Sequence, residues 1–172
     1  MHRHGVVAGS FDPITNGHLW LIREALSMVD ELTVVVGVNP VKKYMFSADE
    51  RQELVRGVLE AKLPPGDVSR VKTVFQENEL LVNFAASVGA THIVRGLRNS
   101  EDFQAENLMM MVNRKQCPEI HHAYVITPPN LGEVSSSTVK SLVGLRDWDK
   151  VASRYCHPTV VEALRNKLVR VQ

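Results

Sequence analysis

Short runs of β-branched and other apolar residues alternate along this chain with longer stretches in which apolar positions recur every three or four residues. The short runs fall at 5–8, 32–38, 71–75, 91–94 and 123–127, and their length and composition predict five strands. The longer stretches, at 18–28, 48–61, 78–88, 101–116, 137–143 and 159–169, predict helices. Strands that alternate with helices of this length belong to a parallel sheet joined by crossover helices, so the fold class is α/β with a doubly wound sheet. The pattern leaves the order of the strands open. Several helix ends are marked by chemistry: Ser47 and Glu50 have the spacing of a capping box, Gly89 stands where a C-terminal cap belongs, and Pro118 closes the helix that carries Met109, Met110 and Met111. Pro64-Pro65-Gly66 reads as a plain loop, and there is no repeat or low-complexity tract.

Composition narrows the class. A chain of 172 residues with 44% hydrophobic content is long enough for one real core and short for two, so residues 1–172 are read as one domain, with the helical segment from about 145 to 172 part of it. Twenty Lys and Arg against nineteen Asp and Glu give no global field to gather nucleic acid or an anionic membrane, so any anion must be held by a local site. Cys117 and Cys156 lie far apart and make no metal-type pair, which suggests a reducing compartment. No apolar run approaches the roughly 18 residues that span a bilayer. Cytoplasm is the expected location.

The strongest chemical signal follows the first strand. Gly9-Ser10-Phe11-Asp12-Pro13-Ile14-Thr15-Asn16-Gly17-His18 leads into an amphipathic helix, at the carboxyl end of a strand where open α/β sheets bind ligands. Gly9 and Gly17 let a backbone approach closely, Ser10 offers a hydroxyl, and His18 falls at a helix N-terminus where free N–H groups favour an anion. Neither G-x-x-x-x-G-K-[ST] nor G-x-G-x-x-G occurs, so a P-loop and a dinucleotide fingerprint are excluded as the phosphate cradle.

Thr15-Asn16-Gly17-His18 resembles the T/H-x-G-H motif of the nucleotidylyltransferase superfamily, and the whole string from Gly9 to His18 resembles the phosphopantetheine adenylyltransferases. The likeness continues in order through Asn39-Pro40-Val41-Lys42-Lys43, Phe46-Ser47, Glu50-Arg51, Asn83-Phe84-Ala85, Arg95-Gly96-Leu97-Arg98, Asp102-Phe103, Met111-Val112-Asn113-Arg114 and Ser135-Ser136-Ser137-x-Val139-Lys140. It implies a Rossmann-like nucleotidyltransferase fold and transfer of the adenylyl group of ATP to 4′-phosphopantetheine, giving dephospho-coenzyme A and pyrophosphate. In that reading His18, Ser10, Lys42 and Arg98 serve the chemistry. ATP is met by Ser10, Phe11, His18, Gly96, Leu97, Arg98, Glu106, Leu131, Ser135, Ser136 and Ser137, and the acceptor by Ser10, Lys42, Leu81, Asn83 and Arg95. The resemblance also implies Mg²⁺ accompanying ATP, inhibition by coenzyme A and a homohexamer.

Each assignment has a plainer alternative. His18 could be a hydrogen-bonded histidine at a helix start, Lys42 with Lys43 a solvated surface pair, and Arg95 with Arg98 partners of Glu101 and Asp102. Glu106 on physics alone is a helix-surface carboxylate, Leu81 a core residue, and one of the three serines an N-cap. The placement of Lys42 and the arginines at strand ends favours phosphate recognition, for which arginine is well shaped. His2, His4, His121 and His122 lack the spacing of a metal site and read as surface or strand-edge residues, so no metal ligands are assigned. Met109 to Met111, with Leu108 and Val112, read as core with some oligomer contact. Family members often carry aromatic residues before the serine run, where this chain has Asn130-Leu131-Gly132-Glu133, so an adenine would be held there by backbone contacts. The rival readings are a sister enzyme acting on nicotinamide mononucleotide, a cytidylyltransferase, or a module that binds ATP without turnover.

Overall fold

A computed structural model describes residues 2–169. Its centre is a five-stranded parallel sheet in the order β3-β2-β1-β4-β5, made of β1 (His4–Gly9), β2 (Glu31–Val38), β3 (Val71–Glu77), β4 (His92–Leu97) and β5 (His121–Ile126). Chain order therefore reverses between β1 and β4. The run Leu32, Thr33, Val34, Val35, Val36 is buried throughout, as expected of an inner parallel strand covered on both faces.

The helices divide between the two faces. Alternate residues Val7, Val34, Val36 and Val94 face a large core shared with α1 (Asn16–Met28), α2 (Ala48–Lys62), α6 (Ser136–Leu142), α7 (Trp148–Ala152) and α8 (Pro158–Val169). Val6, Val35 and Ile93 face a smaller core closed by Val82 and Ala85 of α4 (Leu81–Ser87), beside which runs α5 (Ser100–Gln116). The last helix contributes Val160, Val161 and Leu164 to the larger core.

The expected caps form. Ser47 Oγ accepts from Glu50 N–H at 3.2 Å while Glu50 Oε2 accepts from Ser47 N–H at 2.8 Å, and Gly89 takes φ +70° just beyond α4. The helix expected at 78–88 begins only at Leu81, because Asn78 sits at φ 59°, a left-handed conformation that cannot continue a helix. Pro65, expected in a plain loop, opens the one-turn α3 (Pro65–Val68), using the fixed φ that suits a first helical position. Helix α7 and a 3₁₀ turn at Pro129–Leu131 are too short to leave a period in the sequence. Two burial expectations are corrected. His4 is buried, with Nε2 2.8 Å from Thr33 Oγ1, and Met109 and Met111 are exposed at 45% and 56% in the single chain. The long helix α5 buries only Asn113.

Candidate active site

A cleft of about 250 Å³ opens at the carboxyl ends of β1 and β4, where the strand order reverses. Open α/β sheets bind ligands at such points. Its polar lining comes from His18, Arg95, Arg98, Asp102, Glu106, Ser135 and Ser136. Its apolar lining comes from Trp20, Leu21, Gly96, Leu131 and Val134.

The state of His18 follows from its capping contact. Thr15 precedes the first turn of α1, and its backbone N–H donates to His18 Nδ1 at 3.1 Å, with its hydroxyl 3.0 Å from the same nitrogen. A backbone N–H only donates, so Nδ1 is the acceptor and the neutral ring carries its proton on Nε2. Desolvation, helped by the charges of Arg98 and Arg95, lowers the His18 pKa from 6.5 to about 4. At neutral pH the cleft thus holds an uncharged imidazole with one N–H to donate. The ring of Phe11 packs against it, with centroids 4.9 Å apart.

The two arginines are already engaged. Arg98 donates through Nε to Asp102 Oδ2 at 2.9 Å and through Nη2 to Oδ1 at 3.0 Å, which raises the Arg98 pKa and lowers that of Asp102. Arg95 donates through Nε to Glu106 Oε1 at 2.9 Å and through Nη1 to the Ala8 carbonyl at 2.7 Å, and its Nη2 meets the same carboxylate oxygen. The partner of Arg95 is therefore Glu106, two turns into α5, and not Glu101. Glu106 faces the cleft rather than solvent. Of the three serines, Ser135 caps α6 by accepting from Thr138 N–H at 3.0 Å, Ser136 donates to the Pro13 carbonyl at 2.8 Å, and Ser137 is exposed outside the cleft.

Beneath the cleft lies a buried frame. Asp12, 1% exposed, accepts from Phe46 N–H at 2.9 Å, from Met45 N–H at 3.0 Å and from Lys140 Nζ at 2.8 Å. Arg51, also 1% exposed, donates through Nη1 to the carbonyls of Ser10 at 2.7 Å and Gly37 at 2.9 Å, with its guanidinium over the Tyr44 ring. Asn16 donates through its backbone N–H to the Tyr155 carbonyl at 2.7 Å and through Nδ2 to the Arg154 carbonyl at 3.0 Å. These contacts tie the first loop to the loop after β2, to α6 and to the segment between α7 and α8.

A family model described as cytidylyltransferase-like matches residues 6–142. A phosphopantetheine adenylyltransferase from Chromobacterium violaceum is 46% identical over 153 residues, 89% of this chain and 90% of that protein. The chain belongs to the phosphopantetheine adenylyltransferase family. Another member, from Neisseria meningitidis serogroup C, is 41% identical over 162 residues, 94% of this chain and 92% of its own. Among solved structures, Plasmodium falciparum nicotinic acid mononucleotide adenylyltransferase complexed with NaAD superposes with a TM-score of 0.71 at 16% identity, covering 96% of each chain. A putative nicotinate-nucleotide adenylyltransferase from Vibrio parahaemolyticus gives 0.64 at 18% identity, covering 96% of this chain and 93% of that one. The fold is thus that of the nucleotidyltransferases.

The residues that the family likeness singles out are not all in the cleft. His18, Arg95, Gly96, Arg98, Glu106, Leu131, Ser135 and Ser136 line it. Ser10 and Leu97 lie beside it, Ser10 with its carbonyl held by Arg51 and Leu97 with its carbonyl accepting from Thr127 N–H. Phe11 is fully buried at φ 45°, so its ring supports His18 and only its backbone could meet a ligand. Lys42 is exposed on the loop after β2, with its backbone N–H turned onto the Asn39 carbonyl. Leu81 begins α4 and packs on the smaller core, and Asn83 is exposed near Cys117. Thr15, Trp20, Leu21, Asp102 and Val134 line the cleft without having been assigned from the sequence. Thr15 could have been read from the motif, since a capping residue three before His18 meets its ring.

Proposed function

We propose that this chain joins ATP to 4′-phosphopantetheine, forming dephospho-coenzyme A and pyrophosphate as a step of coenzyme A biosynthesis. An oxygen of the acceptor phosphate bonds to the α-phosphorus as the bond to the β-phosphate oxygen breaks. The observation that carries this reading is His18, a neutral Nε2–H donor in a cleft with two arginines, on a chain with the family's ordered motifs. Such a donor gains strength as negative charge builds on the α-phosphate oxygens, and being uncharged it does not lock onto the ground state.

The remaining roles are those that the family likeness implies. Arg98 and the Ser135–Ser137 run take the β- and γ-phosphates, with Phe11, Gly96, Leu97, Glu106 and Leu131 completing the ATP site. Lys42 and Arg95 take the acceptor phosphate, Leu81 and Asn83 its pantetheine arm, and Ser10 stands between the two phosphates. No general base is assigned. A phosphate monoester with a second pKa of about 6 is already a nucleophilic dianion at neutral pH, so alignment and charge neutralisation suffice. Mg²⁺ accompanying ATP would neutralise the charge of its phosphates.

Residues 1–172 act as one domain, a reading supported by the α8 side chains in the core built on β1 and β2. The enzyme works in the cytoplasm. No described helix is long and apolar enough to cross a membrane. Coenzyme A, sharing the pantetheine arm, is the inhibitor, and the exposed apolar side chains of α5 suit a homohexamer.

The test is pyrophosphate release with a panel of acceptors. Only 4′-phosphopantetheine with ATP should turn over efficiently, and pantetheine without its phosphate should not react. Faster release with nicotinamide mononucleotide, or with CTP and a phosphorylated alcohol, would assign the chain to a sister activity.

A further inference from the structure

The apolar part of the cleft lining is set by two bare stretches of backbone. A Cβ on Gly96 would lie 3.6 Å from both Leu21 Cδ atoms and 3.7 Å from Thr127 Oγ1, and a Cβ on Gly17 would lie 3.3 Å from the Val134 carbonyl oxygen. The end of β4 and the loop before α6 therefore close directly on α1. At about 100° per residue, Gly17 and Leu21 sit mid-face on α1, with His18 on one margin and Trp20 on the other. All four line the cleft. Trp20 and His18 are the aromatic rings in the described lining, and the proposed reaction assigns His18 to the α-phosphate. The loop before the serine run, Asn130-Leu131-Gly132-Glu133, brings no ring of its own.

We propose that Trp20 is the platform for the base of ATP: the adenine stacks on its half-buried indole beside Gly96, with its triphosphate running across the helix face toward His18 and Arg98. The proposal rests on the cleft being the ATP site. It replaces adenine recognition by backbone contacts alone, and it moves the aromatic surface from the last loop to α1. Stacking favours any base with a wide π-face, so an indole platform favours a purine over a pyrimidine nucleotide without reading its edge. The assignment gives Trp20 a role in substrate affinity and base choice, and none in the chemical step.

The chain has two tryptophans, and Trp148 of α7 packs against the core. A Trp148→Phe variant thus leaves Trp20 as the sole indole fluorophore. In that variant ATP and AMP should quench the emission with their binding isotherms, whereas inorganic tripolyphosphate, which carries no base to stack, should not. In otherwise native enzyme, Trp20→Leu should raise the KM for ATP by about tenfold, within the range of one lost stacking contact, leaving kcat and the KM for 4′-phosphopantetheine nearly unchanged. Trp20→Phe should recover most of that loss, and Trp20→Leu should narrow the preference for ATP over CTP. Unchanged emission at ATP concentrations that calorimetry shows to be saturating would overturn the proposal, as would equal quenching by tripolyphosphate or a native KM for ATP in Trp20→Leu. Quenching by ATP without any dephospho-coenzyme A formation would keep the base platform and reject the proposed reaction.

Discussion

At His18 a single capping contact fixes the tautomer, and burial beside two guanidinium groups fixes the charge. Replacing it by Ala should lower kcat by about a hundred- to a thousandfold, the effect of a lost transition-state donor, with a much smaller change in ATP affinity by calorimetry. Near-native turnover would remove it from the chemistry. Because its pKa of about 4 lies below the ordinary 6.5, the folded protein binds fewer protons than the unfolded chain between those values. The contribution of this ring to stability is complete above pH 6.5 and is lost as pH falls to about 4. Urea midpoints measured across that window should therefore fall less steeply in His18→Gln than in the native protein. Direct displacement further predicts inversion at an isotopically chiral α-phosphorus, and retention, or a trapped adenylyl-His18, would reveal a double displacement. Lys42→Ala and Arg95→Ala should weaken 4′-phosphopantetheine while leaving ATP binding nearly intact. Arg95 and Arg98 were legible as candidates because residue type and strand-end position suit a phosphate, and both line the cleft. Their partners were not, since the Arg95–Glu106 contact depends on how α5 lies against β4, which no local spacing encodes.

At the scale of elements, periodicity located the five strands and the long helices, of which α1, α2 and α8 each bury a regular stripe while α5 buries only Asn113 in the single chain. It missed α7 and the turn at Pro129–Leu131, which are shorter than a detectable period. It also misread the methionines of α5, because apolar side chains facing solvent in one chain carry the same pattern as a core. The frame under the cleft was hidden for a different reason: Asp12 and Lys140 are 128 residues apart. Asp12→Ala would orphan two backbone N–H groups and the Lys140 ammonium, costing about 2–4 kcal/mol in chemical denaturation. The same change should depress kcat in the protein that remains folded, because the first loop and α6 would no longer be held in register. Full activity in Asp12→Ala would show that the frame supports the fold without setting the site.

For the whole molecule, the exposed Leu108, Met109, Met111 and Val112 on α5 should be covered in the proposed assembly of six chains. Sedimentation should give that assembly for the native protein and a smaller species for Leu108→Glu with Met111→Glu. The contacts from Asn16 to the Arg154 and Tyr155 carbonyls have a consequence in time. They join the opening of α1 to a segment up to 139 positions later, and the ribosome adds residues at about 5–20 per second. A growing chain that has already made β1, the motif loop and even the serine run still lacks the backbone that steadies its first turn. The opening of α1 therefore gains these two anchors only after nearly the whole chain has been made.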